Sequence, residues 1–88
     1  MSRYSIQIDT IGHTGYVSLS DRDCASTRPL NASINFDLDV EGQLCGIEFL
    51  SLAGLNHISA QDFESLLSAE DAAEVQALIE ELRMQQAQ

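Results

Sequence analysis

Apolar side chains at Ile34, Phe36, Leu38 and Val40 alternate with polar ones at Asn35, Asp37, Asp39 and Glu41. This is the period-two signature of a strand with one buried face. After Glu41-Gly42 a second run places Cys45, Ile47 and Phe49 on one face, with Gly46 and Glu48 opposite. Glycine tolerates the positive φ of a tight turn, so Glu41-Gly42 is the predicted two-residue loop. That loop pairs Ile34 with Phe49, Phe36 with Ile47, and Leu38 with Cys45. A slip of one residue would set apolar side chains against polar ones, so the pattern calls for an even-numbered loop. The other face, with Asn35, Asp37, Asp39 and Glu48, is expected to be wet.

Upstream, Tyr4, Ile6 and Ile8 alternate with Ser5, Gln7 and Asp9, giving a first strand. Thr10–Gly15 reads as a hairpin loop, and Tyr16–Ser20 as a second strand with Val17 and Leu19 on one face. Asp21–Pro29 is polar and ends in the only proline, so it reads as the longest loop. Downstream, Ser59-Ala-Gln-Asp62 and Ser68-Ala-Glu-Asp71 are two capping boxes. They predict a short helix from Ala60 to about Leu67 and a longer one from Ala69 to about Gln85. Ile58 and Phe63 are spaced for a hydrophobic staple across the first start. On the longer helix Ala72, Val75, Leu78, Ile79 and Leu82 form one apolar stripe, with Glu70, Glu74 and Glu81 opposite. The expected fold is α+β in one domain over residues 1–88. A four-stranded antiparallel sheet of two hairpins (about 3–50) is covered by one short and one longer helix (about 59–86).

The stretch from Asp37 to Leu50, with its acidic glycine-containing turn, then Gly46-Ile-Glu48 and an apolar strand end, resembles the small prokaryotic domain-of-unknown-function family 2283. Asp9 through Ser20 is similar to the upstream half of that pattern, an Asp followed by a polar stretch, a Tyr and a strand ending Leu-Ser. His13 stands where the family usually has a second Asp, and Gly15 where it has an apolar residue. The resemblance covers roughly residues 4–53. It implies a small β-rich fold and brings no activity.

Charge narrows the functions. Fourteen Asp and Glu stand against four Arg and no Lys, for a formal net charge of −10. Phosphate backbones are held by Lys and Arg, so neither nucleic acid nor an anionic membrane is an expected partner. No segment has the length and apolarity of a membrane span or a signal peptide, and the expected location is the cytoplasm. There Cys24 and Cys45 are expected as reduced thiols, Cys45 as a small core residue; a disulfide between them is the open alternative.

No constellation specifies a reaction. Asp37, Asp39, Glu41, Gly42 and Glu48 fall at positions one, three, five, six and twelve of an EF-hand loop. Their flanks alternate as strands instead of helices, however, and a hairpin holds Glu48 beside Asn35, away from the turn. Asp37 and Asp39 share a strand face at i, i+2, the spacing of an acid/base pair, although carboxylates there more often give solubility. His13 and His57 each stand alone, without an orienting carboxylate or a nucleophile. The reading is a non-enzymatic protein with no metal or cofactor, acting through protein–protein contact and expected to form a homodimer. The alternative is an acidic inhibitor that mimics nucleic acid and occupies a basic site on another protein. Glu70, Glu74, Glu81, Asp37 and Asp39 are the candidate contacts.

Overall fold

Five strands build the sheet, one more than the alternation predicts. In the computed structural model, which describes residues 4–21 and 23–86, they are β1 (Ser5–Asp9), β2 (Thr14–Ser18), β3 (Ser26–Asn31), β4 (Ile34–Leu38) and β5 (Leu44–Phe49). Their order is β1-β2-β5-β4-β3, and every pair is antiparallel. The added strand, β3, lies inside the segment expected to be the longest loop. It is an edge strand with Ser26 to Pro29 all exposed, so it carries no apolar alternation. Pro29 donates no amide, and an edge strand tolerates that on its open side. A two-residue turn joins β3 to β4, fixed by the Asn31 carboxamide oxygen, which accepts the Ser33 amide at 2.8 Å.

The central hairpin pairs Ile34 with Phe49 and Phe36 with Ile47, as the pattern requires. The register then shifts, and Leu38 meets Leu44 in place of Cys45. Asp39 is the cause. Its carboxylate accepts the amides of Glu41 and Gln43, each at 2.9 Å, while its own amide donates to the Gln43 carbonyl at 2.8 Å. This five-residue turn ends β4 two residues early and replaces the even-numbered loop. Val40, expected inside, is 88% exposed, and Asp39, expected in water, is only 4% exposed. Cys45 is displaced from the pairing by the bulge. It is buried but outside the hydrophobic cluster, and it is bonded to Cys24 (S–S 2.00 Å). The reduced-thiol expectation is therefore corrected: the loop before β3 brings Cys24 against the bulge of β5.

Behind the sheet the caps perform as written. The Ser59 amide donates to the Asp62 carboxylate at 2.8 Å and opens α1 (Ala60–Phe63). The helix is shorter than predicted because a 3₁₀ turn, Glu64–Leu66, finishes the segment. The Ser68 hydroxyl accepts the Asp71 amide at 3.1 Å at the start of α2 (Ala69–Gln86). On α2, Ala72, Val75, Ile79 and Leu82 are buried and Leu78 is half-buried. They join Ile58, Phe63, Leu55 and the apolar face of β2, β4 and β5 in one core. A second 3₁₀ turn, Leu52–Asn56, leads from β5 toward this layer. The Arg83 guanidinium donates to the carbonyls of Leu55 and Ile58, tying the connector to α2. Among the described residues no helix is long and apolar enough to cross a membrane.

Candidate functional site

Because the helices occupy one face of the sheet, the other stays open. Strand alternation and register place Gln7, Tyr16, Glu48 and Asn35 there as one cross-strand row, and Ser18, Gly46, Asp37 and Thr27 as the next. Each is a polar side chain or a glycine. Alternation alone puts Asn35, Asp37 and Glu48 on this face; the strand order adds Tyr16 and Thr27, which no local pattern links to them.

The two rows are braced together. The Tyr16 hydroxyl on β2 donates to Asp37 Oδ2 on β4 at 2.7 Å. To arrive there it crosses β5, and it crosses where β5 has no side chain. A Cβ built on Gly46 would lie 2.6 Å from Tyr16 Cζ and closer still to the hydroxyl. Thr27 on β3 donates to Asp37 Oδ1, also at 2.7 Å, so one carboxylate links β2, β4 and β3. Beside it the Asn35 carboxamide donates to Glu48 at 3.1 Å. Each Asp37 oxygen accepts one of these bonds, and the turn carries Asp39 out of the strand face, so the two carboxylates do not stand side by side as i, i+2 alternation expects. Glu48 stands beside Asn35 as the hairpin reading expected, away from the turn carboxylates.

Burial chiefly, and then the hydrogen bond to Asp37 and the negative charges of Asp37 and Glu48, push the Tyr16 hydroxyl well above the ordinary tyrosine range. At neutral pH it is a donor and not a base. The consequence for stability has a definite sign. Above pH ~10 an unfolded tyrosine loses its proton while folded Tyr16 keeps it, so stability is intact below that pH and falls as pH rises past it. Titration of tyrosinate absorbance should show a late-titrating component that vanishes in Tyr16→Phe. The variant should also lose part of the alkaline destabilisation; an unchanged titration would refute the assignment.

At the β1/β2 end of this face lies a depression of about 290 Å³, flanked by Gln7, Asp9, Thr14, Tyr16, Glu48 and Leu50. Asp9 caps the loop beside it, its Oδ1 accepting the amides of Ile11 at 3.0 Å and Gly12 at 2.9 Å. His13 closes that loop in the left-handed region (φ 57°), and its carbonyl, not its imidazole, takes the Leu52 amide at 2.7 Å. His13 and Asp39 sit at opposite ends of β5, so His13, Asp37 and Asp39 do not converge. Among the described residues no three His, Cys, Asp or Glu side chains are gathered as a metal ion would need.

Of the five contact candidates, the structure gathers three. Glu70, Glu74 and Glu81 are exposed on α2, within roughly 40° of one another at 3.6 residues per turn. Asp37 lies on the opposite side of the molecule, in the braced network, and Asp39 is buried in its turn. A second opening, of about 390 Å³, lies on the helix side where Leu19 and Leu44 approach Leu67 and Val75, with Asp21 and Asp71 at its rim.

Comparison with known proteins gives one finding. The model of a family described as protein of unknown function (DUF2283) matches residues 6–52, the segment from β1 through the end of β5. No curated protein and no solved structure matches the chain.

Proposed function

The chain belongs to DUF2283, a family of proteins of unknown function, and from that premise we propose that it is a non-enzymatic contact module. Its open sheet face takes a basic segment of another protein. One observation carries this reading. The face is cross-braced by the Tyr16–Asp37–Thr27 network, bears Asp9, Asp37 and Glu48, and holds no Arg among its described residues. A braced surface loses little side-chain entropy on binding, and an acidic one steers and aligns a cationic partner. Arg28 projects to the other face and Arg83 is engaged with backbone carbonyls.

The test is an NMR titration of the isotope-labelled protein with an arginine-rich model peptide. Shifts should centre on Gln7, Tyr16 and Glu48 and weaken as salt is raised. Glu48→Lys should reduce affinity about tenfold, equivalent to one charge-assisted hydrogen bond of roughly 1.5 kcal/mol. Shifts absent from this face would end the reading.

A second reading is supported by the glutamate stripe of α2, whose three exposed carboxylates could imitate successive phosphates for a nucleic-acid-binding protein. It predicts that the same peptide perturbs Glu70, Glu74 and Glu81, and that reversing those three charges removes the effect. The two surfaces face opposite ways, so the shift map separates them.

A further inference from the structure

The two edges of the sheet end differently. One apolar row runs Ile6–Val17–Ile47–Phe36 across β1, β2, β5 and β4, and at β3 it meets Arg28. That edge is also blunted by Pro29 and by an irregular register between Pro29 and Asn31. A charge, a proline and a bulge are the devices that keep an edge from pairing. The β1 edge has no proline and a regular register, and its one charge, Asp9, stands at the end of the strand with its carboxylate turned onto the Ile11 and Gly12 amides. The row ends in Ile6, which is 40% exposed although its neighbour Val17 is 1% exposed. Ile8, next on the same face, leans over Gly15 toward Leu52; a Cβ on Gly15 would lie 2.9 Å from Ile8 Cδ1 and 3.3 Å from Leu52 Cδ2.

We infer that β1 pairs with β1 of a second copy, antiparallel about a two-fold axis at Gln7, to form one continuous ten-stranded sheet. The sequence Ser5-Ile-Gln-Ile-Asp9 is complementary to itself in that register. Ile6 faces Ile8 of the second copy twice, extending both apolar rows, and Gln7 faces Gln7 on the polar side. Ser5 faces Asp9, so no carboxylate opposes another across the seam. A two-fold interface uses the same patch on both chains and closes after two copies.

Five residues at about 3.4 Å each make an edge only about 17 Å long. Such a seam falls short of the ~1,200 Å² of a stable interface, so the dimer belongs to the weak class, on the order of 10–100 µM. Two chains of net charge −10 repel, so added salt strengthens the association. Binding of a basic segment to the polar face responds to salt in the opposite sense, which keeps the two surfaces distinguishable.

Sedimentation equilibrium from 10 µM to 1 mM tests the seam. The wild type should pass from 9.6 kDa toward twice that mass, and at lower concentration in higher salt. Ile6→Lys puts a charge on the edge at an already exposed position and should hold the monomer throughout, with an unchanged thermal melt. Arg28→Ala, on the opposite edge, should leave the dimer intact. Gln7→Cys should form a covalent dimer on mild oxidation, and Ser5→Cys should not, because only position 7 faces itself. A wild type that stays at 9.6 kDa overturns the inference, and so does a dimer that survives Ile6→Lys.

Discussion

Gly46→Ala is expected to destabilise the protein by about 2–3 kcal/mol, a large effect for a single methyl group. Backbone conformation is not the reason, since positive φ is found at Gly42 and not at Gly46. Space is the reason. The new methyl would occupy the path of the Tyr16 ring, 2.6 Å from Cζ, and the ring would have to swing off β5. That movement breaks the bond from the Tyr16 hydroxyl to Asp37 and leaves one carboxylate oxygen of a half-buried group without its donor. A hydrogen bond to a charged group contributes roughly 1.5–3 kcal/mol, and overpacking costs a further ~1 kcal/mol or more. Alanine returns some ~0.4–1 kcal/mol by restricting the unfolded chain. In a domain of this size the melting temperature should fall on the order of 10–15 °C. A double-mutant cycle identifies the cause. In a Tyr16→Ala background the same Gly46→Ala change should cost little, because the clash and the bond are both already gone. Additive effects would show that Gly46 answers to something other than Tyr16.

Removing the Cys24–Cys45 bond should cost a comparable amount. The bond spans 21 residues and takes in β3, an edge strand exposed at every residue but the half-buried Leu30. Closing a loop of that length restricts the unfolded chain by about 3 kcal/mol in the chain-entropy model. Reductant, or the pair Cys24→Ser and Cys45→Ser, should lower the melting temperature on the order of 10–20 °C. Amide exchange should rise first in Ser26–Asn31, because β3 keeps only β4 as a neighbour and Leu30 as its half-buried anchor. Identical melts in oxidised and reduced protein would show that the bond constrains nothing.

The same two sites show where local sequence is sufficient and where it is not. The Ile34–Phe49 and Phe36–Ile47 pairs, both helix starts and the stripe on α2 are all written locally. Alternation marks a buried face, Ser and Asp mark orphan amides, and each signal lies within a few residues of the structure it specifies. Side-chain hydrogen bonding by Asp39 leaves no mark in the alternation. Its place in the alternation predicted a solvated strand position, whereas its carboxylate could bind the amides two and four residues on and fold the turn around itself. The edge strand β3 leaves no periodic signal in the sequence because an edge has little to bury, and so its residues can be polar and include a proline.

The sequence by itself determined the fold class, two of the three core pairs expected in the hairpin, the helix starts and the acidic character, since each depends on neighbours in the chain. Only the tertiary structure decided that Tyr16, Gly46, Asp37 and Thr27 share one face, that Cys24 meets Cys45, and that β1 and β3 form the two edges. Those facts follow from strand order, which is set by how the whole apolar surface is best covered and not by any short stretch of chain.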